Sequence, residues 1–210
     1  MKLTVFGATG GTGRQIVAQA LRAGHRVTAV VRDPARLGIE AGPNLDVATA
    51  DVLDPAAIAP AISGSDAVLS ALGPGGNTPT RVCRDSARGI AAAMHDSGVR
   101  RLLVVSNSGN YSEGDGLAVR LMVKPILRRM LRHAYEDMDA MEREVRASGL
   151  RWTIVRPPQL TDKPYTGTVH SSVDGNVRGS FRISRADLAC YLLDAVDDHS
   201  VVHKTVSVAG

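Results

Sequence analysis

The chain has 210 residues, 44% of them apolar and 3% aromatic, with 25 basic and 21 acidic side chains. That length suits one α/β domain with its own core, and the apolar content excludes a disordered chain. The scarcity of rings argues against a base-stacking nucleic-acid platform, while the net charge of +4 suits an anionic ligand or simply keeps the chain soluble.

The stretch from Leu3 to Arg14 organises the reading. Leu3, Val5 and Phe6 predict a buried strand, and Ile16, Val17, Ala20 and Leu21 predict an amphipathic helix. Between them stand Gly7, Gly10 and Gly13. In a strand–turn–helix context the first such glycine permits a sharp turn. The second admits a pyrophosphate to the backbone, and the third lets helix and strand pack closely. A second strand, Arg26 to Val31, arrives on time and is followed by Arg32, Asp33, Pro34 and Arg36. An acidic residue at this strand end binds the ribose hydroxyl of NAD, whereas arginine accommodates the 2′-phosphate of NADP. Arg32 and Arg36 therefore favour NADP(H) over NAD(H), with Asp33 before Pro34 read as a helix start.

A third strand spans Leu45 to Thr49. Asp51 beyond it is placed to accept from an adenine amino group, and Asp54 before Pro55 reads as the cap of a helix from Ala56 to Ile62. Val68 to Gly73 is a fourth strand with its exit, which should pass under the cofactor. The loop from Pro74 to Pro79 is positioned to flank a substrate, and a helix runs from about Thr80 to Ser97. Leu102 to Val105 predicts a central strand running into Ser106, Asn107, Ser108, Gly109, Asn110 and Tyr111, where doubly wound sheets bind ligands. Leu117 to Ala147 is mostly helical in pattern, with a break predicted near Pro125. Trp152 to Val155 is the sixth strand, and Arg156-Pro157-Pro158 forces an extended exit. Turns and short strands fill Gln159 to Phe181. Ser184 and Asp187 stand at capping-box spacing before a last helix through Val196, and Val206 to Val208 reads as a final strand.

Arg120, Lys124, Arg128, Arg129 and Arg132 form a basic stripe beside Leu121, Leu127, Met130 and Leu131; Glu136, Asp137, Asp139, Glu142 and Glu144 follow. These read as solvated helix faces. Cys83 and Cys190 lie far apart in helical patterns, which argues against a disulfide framework and for a reducing compartment. No metal-ligand spacing links them to the histidines. A cytoplasmic, single-domain protein over residues 1–210 is expected, without membrane or nucleic-acid partners.

Five blocks together resemble the atypical short-chain dehydrogenases/reductases. They are Gly7 to Gly13, Val30 to Pro34, Asp51-Val52, Ser148 to Pro157 and Ile183 to Ala189. The likeness is to the NmrA-like NAD(P)-binding group that includes biliverdin-IXβ/flavin reductase, and it covers almost the whole chain. It implies a Rossmann-type, doubly wound parallel sheet with a small C-terminal substrate-side region. It further implies that Gly7, Thr9, Gly10, Gly11, Thr12 and Gly13 meet the phosphates. Arg32 and Arg36 would meet the 2′-phosphate, Asp51 and Val52 the adenine, and Leu72 and Gly73 the ribose. Ser106, Asn107, Pro157 and Gln159 would border the nicotinamide.

The family's Tyr-x-x-x-Lys motif has its counterpart in Tyr135 to Asp139, with aspartate in place of lysine. A carboxylate there should oppose ionisation of Tyr135, so the tyrosine is either a catalytic phenol or a plain helix-surface residue. Two functions remain open: an NADPH-dependent reductase of a flat conjugated acceptor, or an NADP(H)-binding redox sensor without turnover.

Overall fold

A computed structural model describes residues 1–40, 42–109, 111, 116–117, 121–122 and 124–210. Asn110, Arg120 and part of the helical pattern from Leu117 onward lie outside the described residues.

In chain order the elements are β1 (Lys2–Phe6), α1 (Gly11–Arg22), β2 (Arg26–Val31), β3 (Leu45–Thr49), α2 (Pro55–Ile62), β4 (Ala67–Ser70), α3 (Val82–Asp96) and β5 (Arg101–Val105). Then follow α4 (Lys124–Met130), α5 (Arg132–Ala147), β6 (Arg151–Arg156), β7 (Gln159–Thr161), β8 (His170–Val173), β9 (Arg182–Ser184), α6 (Arg185–Asp194) and β10 (Lys204–Ala209). The main sheet has the order β3-β2-β1-β4-β5-β6-β10-β8. All its pairings are parallel except β10 with β8. β7 and β9 form a separate parallel pair. The predicted doubly wound sheet is present, and the strand order reverses between β1 and β4, which opens a crevice at the carboxyl edge.

Successive residues of a strand face opposite sides, so β1 feeds two cores. Leu3 and Val5 pack with Ile16 and Val17 of α1 and with Leu188 and Leu192 of α6. Phe6 packs on the other face with Ile58, Ile90, Met94, Val145 and Ile154, under α2, α3 and α5. This near-ringless aliphatic packing is what the composition requires.

Local capping follows the sequence closely. The Asp54 carboxylate accepts from the amides of Ala56 and Ala57, and Asp33 accepts from Ala35. Ser184 Oγ accepts from the Asp187 amide at 2.9 Å and donates to its carboxylate at 2.6 Å. The helix break differs from expectation. Pro125 sits in the first turn of α4, where its missing N–H costs nothing, and the break falls at Leu131 (φ −112, ψ 24). At the far end of the sheet, Arg101 is buried and closes α6. It donates to the carbonyls of Ala195, Val196 and Arg151 and to Thr153 Oγ1. Burial, reinforced by the Arg151 charge, pulls its guanidinium down to about 10.

Candidate functional site

The β1–α1 turn is built by close approach. Gly7 has φ +75, and a β-carbon there would lie 2.7 Å from the Ala71 carbonyl oxygen. A β-carbon on Gly13 would overlap the Gly7 carbonyl. Only glycine lets α1 start this close to β1 and to the β4 exit. Gly10 is the N-cap of α1 and makes no side-chain cap, and the first turn holds no acidic residue. The amides at the start of α1 thus point into the crevice with the positive end of the helix dipole, a donor set that fits a pyrophosphate. Thr12 is buried in this turn and Thr9 is half-buried. The Ala71 amide donates to the Phe6 carbonyl at 3.0 Å, so Leu72 and Gly73 run directly past the turn.

Arg32 and Arg36 are exposed at the end of β2. A third cation, which sequence reading missed, joins them: Arg14 Nη2 donates to the Arg36 carbonyl at 2.6 Å. It sits one turn into α1, a place with no motif to flag it. Asp33 accepts from the Ala35 amide and keeps its charge, so it stands as one carboxylate among the three arginines. Asp51 accepts from the Leu53 amide at 3.0 Å and is otherwise exposed. Val52 is held by α3, where a β-carbon on Gly89 would lie 2.9 Å from its carbonyl oxygen.

The exits of β5 and β6 are laced together. The Ser106 amide donates to the Val155 carbonyl and the Ser108 amide to the Pro157 carbonyl. This brings Ser106, Asn107 and Pro157 to one edge. Gln159 turns elsewhere: it is exposed in β7, and its side-chain oxygen accepts from Arg182.

Ser106 is buried, and its hydroxyl donates to Glu142 Oε1 at 2.7 Å. Glu142 has no exposed surface. It accepts from Arg156 Nε at 2.9 Å, Arg156 Nη2 at 2.6 Å and Arg146 Nη2 at 2.7 Å. Burial alone would raise this carboxyl, but the Arg156 bonds and charge, the Ser106 bond and the Arg146 charge outweigh it and hold the group below its ordinary range. Arg156 in turn stacks on Tyr111, its Cζ 3.0 Å from the ring centroid. Glu142 is therefore no part of a solvated acidic face. Asp137 is buried as well: it accepts from the amides of Cys83 and Arg84 and caps α3 from α5. Both corrections share a cause, since partners on distant strands and helices recruit charges that look ordinary along one helix.

Tyr135 and Asp139 do not form the pair expected of them. Asp139 accepts from the Tyr111 hydroxyl at 2.6 Å. The Tyr135 phenol is raised by burial, partly offset by the Arg128 charge. Its hydroxyl lies so close to Gly109 that a β-carbon there would collide with it, with Asn107 Oδ1 nearby. Asn107 Nδ2 meets Met138 Sδ at 3.2 Å. Lys124, expected on the solvated stripe, is buried instead and donates to the Ser108 carbonyl at 2.8 Å. The loop beyond β4 also reaches this region: Asn77 donates to the Met130 carbonyl and accepts from the Ala134 amide. Leu121, Met122, Ile126 and Met130 stand exposed alongside. Among the described residues no three His, Cys, Asp or Glu side chains gather as a metal site. No described helix is long and apolar enough to cross a membrane.

A family model described as NAD(P)H-binding matches residues 7–199. The chain is 28% identical over 204 residues to the uncharacterised protein YwnB of Bacillus subtilis, covering 94% of this chain and 92% of that one. It is 27% identical over 221 aligned positions to divinyl chlorophyllide a 8-vinyl-reductase of Zea mays, covering 98% of this chain and 54% of that protein, about half its length. Among solved structures, a short-chain dehydrogenase/reductase of Veillonella parvula in complex with NADP aligns with a TM-score of 0.81 at 17% identity, covering 100% of this chain and 94% of that chain. At that identity the likeness shows the fold.

Proposed function

The chain belongs to the NAD(P)H-binding family of atypical short-chain dehydrogenases/reductases, and on that premise we propose that it is an NADPH-dependent reductase of a flat, conjugated acceptor such as a flavin, a linear tetrapyrrole or a quinone. The observation that carries the cofactor choice is the group of Arg14, Arg32 and Arg36 around the end of β2, three cations against the single carboxylate of Asp33. Guanidinium forks suit the 2′-phosphate that distinguishes NADP from NAD.

The bound cofactor would supply the hydride. The protein's own residues orient and enclose. The α1 N-terminus would hold the pyrophosphate. The Glu142 network fixes the Ser106 end of β5, so that Asn107 is presented at a set position on the crevice edge. Tyr135 stays a neutral phenol, and Lys124 is spent on the Ser108 carbonyl. With Asp139 standing where the family has lysine, no Tyr-x-x-x-Lys acid forms among the described residues, and the reduced acceptor would take its proton from water. Flavins and quinones tolerate this, because charge from the hydride spreads over their conjugated systems. Exposed Ile126 and Met130 beside the Asn77 loop offer an apolar wall to such a ring. The relative named for reducing a vinyl group of a chlorophyllide supports the same acceptor class.

A second reading, an NADP(H) sensor without turnover, is favoured by Asp139 standing where the family has lysine and being engaged by Tyr111. NADPH oxidation followed at 340 nm against flavins, quinones and tetrapyrroles separates the two. Turnover on any of them supports the reductase; tight NADPH binding with no turnover on the whole panel supports the sensor.

A further inference from the structure

The phosphate crevice has a cation on its α6 side that the glycine motif does not include. Arg185 is the first residue of α6, and α6 packs beside α1 with both N-terminal ends at the carboxyl edge of the sheet. A β-carbon on Gly11 would come within 2.7 Å of both Cδ and Nε of Arg185. The arginine stem therefore lies across the first residue of α1, over the uncapped helix start. Its Nη1 donates to Asp162 Oδ1 at 2.7 Å. The Asp162 side chain is 88% exposed and that of Arg185 28% exposed. A carboxylate this open to water holds an arginine weakly and exchangeably.

We propose that Arg185 is a phosphate-binding arm for the cofactor, closing on the phosphate of the nicotinamide half, and that Asp162 keeps the arm at the crevice until the phosphate replaces it. The choice of phosphate follows from topology. Arg185 and Asp162 flank the β7–β9 pair, which continues from the β6 exit, while the adenine half would lie on the β2–β3 side of β1, by Arg32 and Arg36. The glycine turn carries no charge of its own, so a guanidinium beside it supplies what backbone amides cannot: a full positive charge and a two-pronged donor. The inference rests on the reading that NADP(H) occupies the β1–α1 turn.

The test is calorimetric titration of the wild type, Arg185→Ala, Arg185→Lys and Asp162→Asn with NADPH, NADH and 2′,5′-ADP. The last keeps the adenine half and lacks the nicotinamide-side phosphate. Arg185→Ala should weaken NADPH and NADH alike, by roughly tenfold or more, and leave 2′,5′-ADP within about twofold. Arg185→Lys should recover part of the loss. Asp162→Asn, which releases the arm, should tighten NADPH by about two- to fivefold. Equal affinities in wild type and Arg185→Ala would overturn the inference while leaving the cofactor site standing. So would equal losses for all three ligands, or weakened NADPH binding in Asp162→Asn, since the pair would then be a structural brace. A wild type that binds none of the three would overturn the cofactor reading itself, and this inference with it.

Discussion

Glu142→Gln, which exchanges one oxygen for an NH2 group, should destabilise the protein strongly. The carboxylate is fully buried and accepts four hydrogen bonds, two of them from one guanidinium and one each from Arg146 and Ser106. Glutamine keeps the shape but removes the charge, and its NH2 faces donors where an acceptor stood. Arg156 is then a buried cation without its counter-ion, a situation that costs about 3–5 kcal/mol. In a chain of this size that corresponds to a melting temperature lower by roughly 6–20 °C. The pH dependence gives a second signature. Glu142 has a folded pKa below its unfolded one, so its stabilisation is complete above the unfolded value of about 4.3 and fades as pH falls through the folded value. Urea unfolding of both forms should therefore show a constant gap from neutral pH down to about pH 5 that narrows in stronger acid. A loss under about 1 kcal/mol at neutral pH, with no narrowing in acid, would refute the claim that this carboxylate holds Arg156.

Two other changes probe separate parts of the account. Arg101→Met strands the carbonyls of Ala195, Val196 and Arg151 in the core and should cost about 2–4 kcal/mol in urea unfolding; a cost near zero would mean that water reaches those carbonyls. Tyr135→Phe should change NADPH-dependent turnover of a flavin or quinone by only a few-fold, and Asn107→Ala by more. A loss of about a hundredfold or greater in the phenylalanine variant, with NADPH affinity intact, would make Tyr135 a general acid after all.

What the sequence disclosed was local. The glycine turn, the Asp33 and Asp54 caps and the Ser184–Asp187 box are decided within three or four residues, and each stands where the pattern placed it. The strands were legible because a parallel sheet buried on both faces needs continuous apolar runs. The Glu142 network was not legible, because its partners Ser106 and Arg156 come from the β5 exit and from β6, and nothing on α5 distinguishes Glu142 from the exposed Glu136. Asp137 capping α3, Lys124 turning in to Ser108 and Arg14 reaching Arg36 share that character: each is a charge whose partner is remote in sequence or is a bare carbonyl or amide. For Tyr135 the expected direction holds, a phenol raised above its ordinary value, but its cause is burial. Spacing on a helix put it together with Asp139, and Tyr111, arriving from the β5 exit, took the aspartate.

On the reading proposed above, NADP(H) would lie across the β1–α1 turn with its 2′-phosphate at the end of β2. Calorimetric titration of the wild type and Arg32→Glu with NADPH and with NADH tests it most directly. The wild type should prefer NADPH by about tenfold or more, and Arg32→Glu should abolish the preference while changing NADH affinity only slightly. Equal affinities for the two cofactors in the wild type, or equal losses for both in the variant, would contradict it.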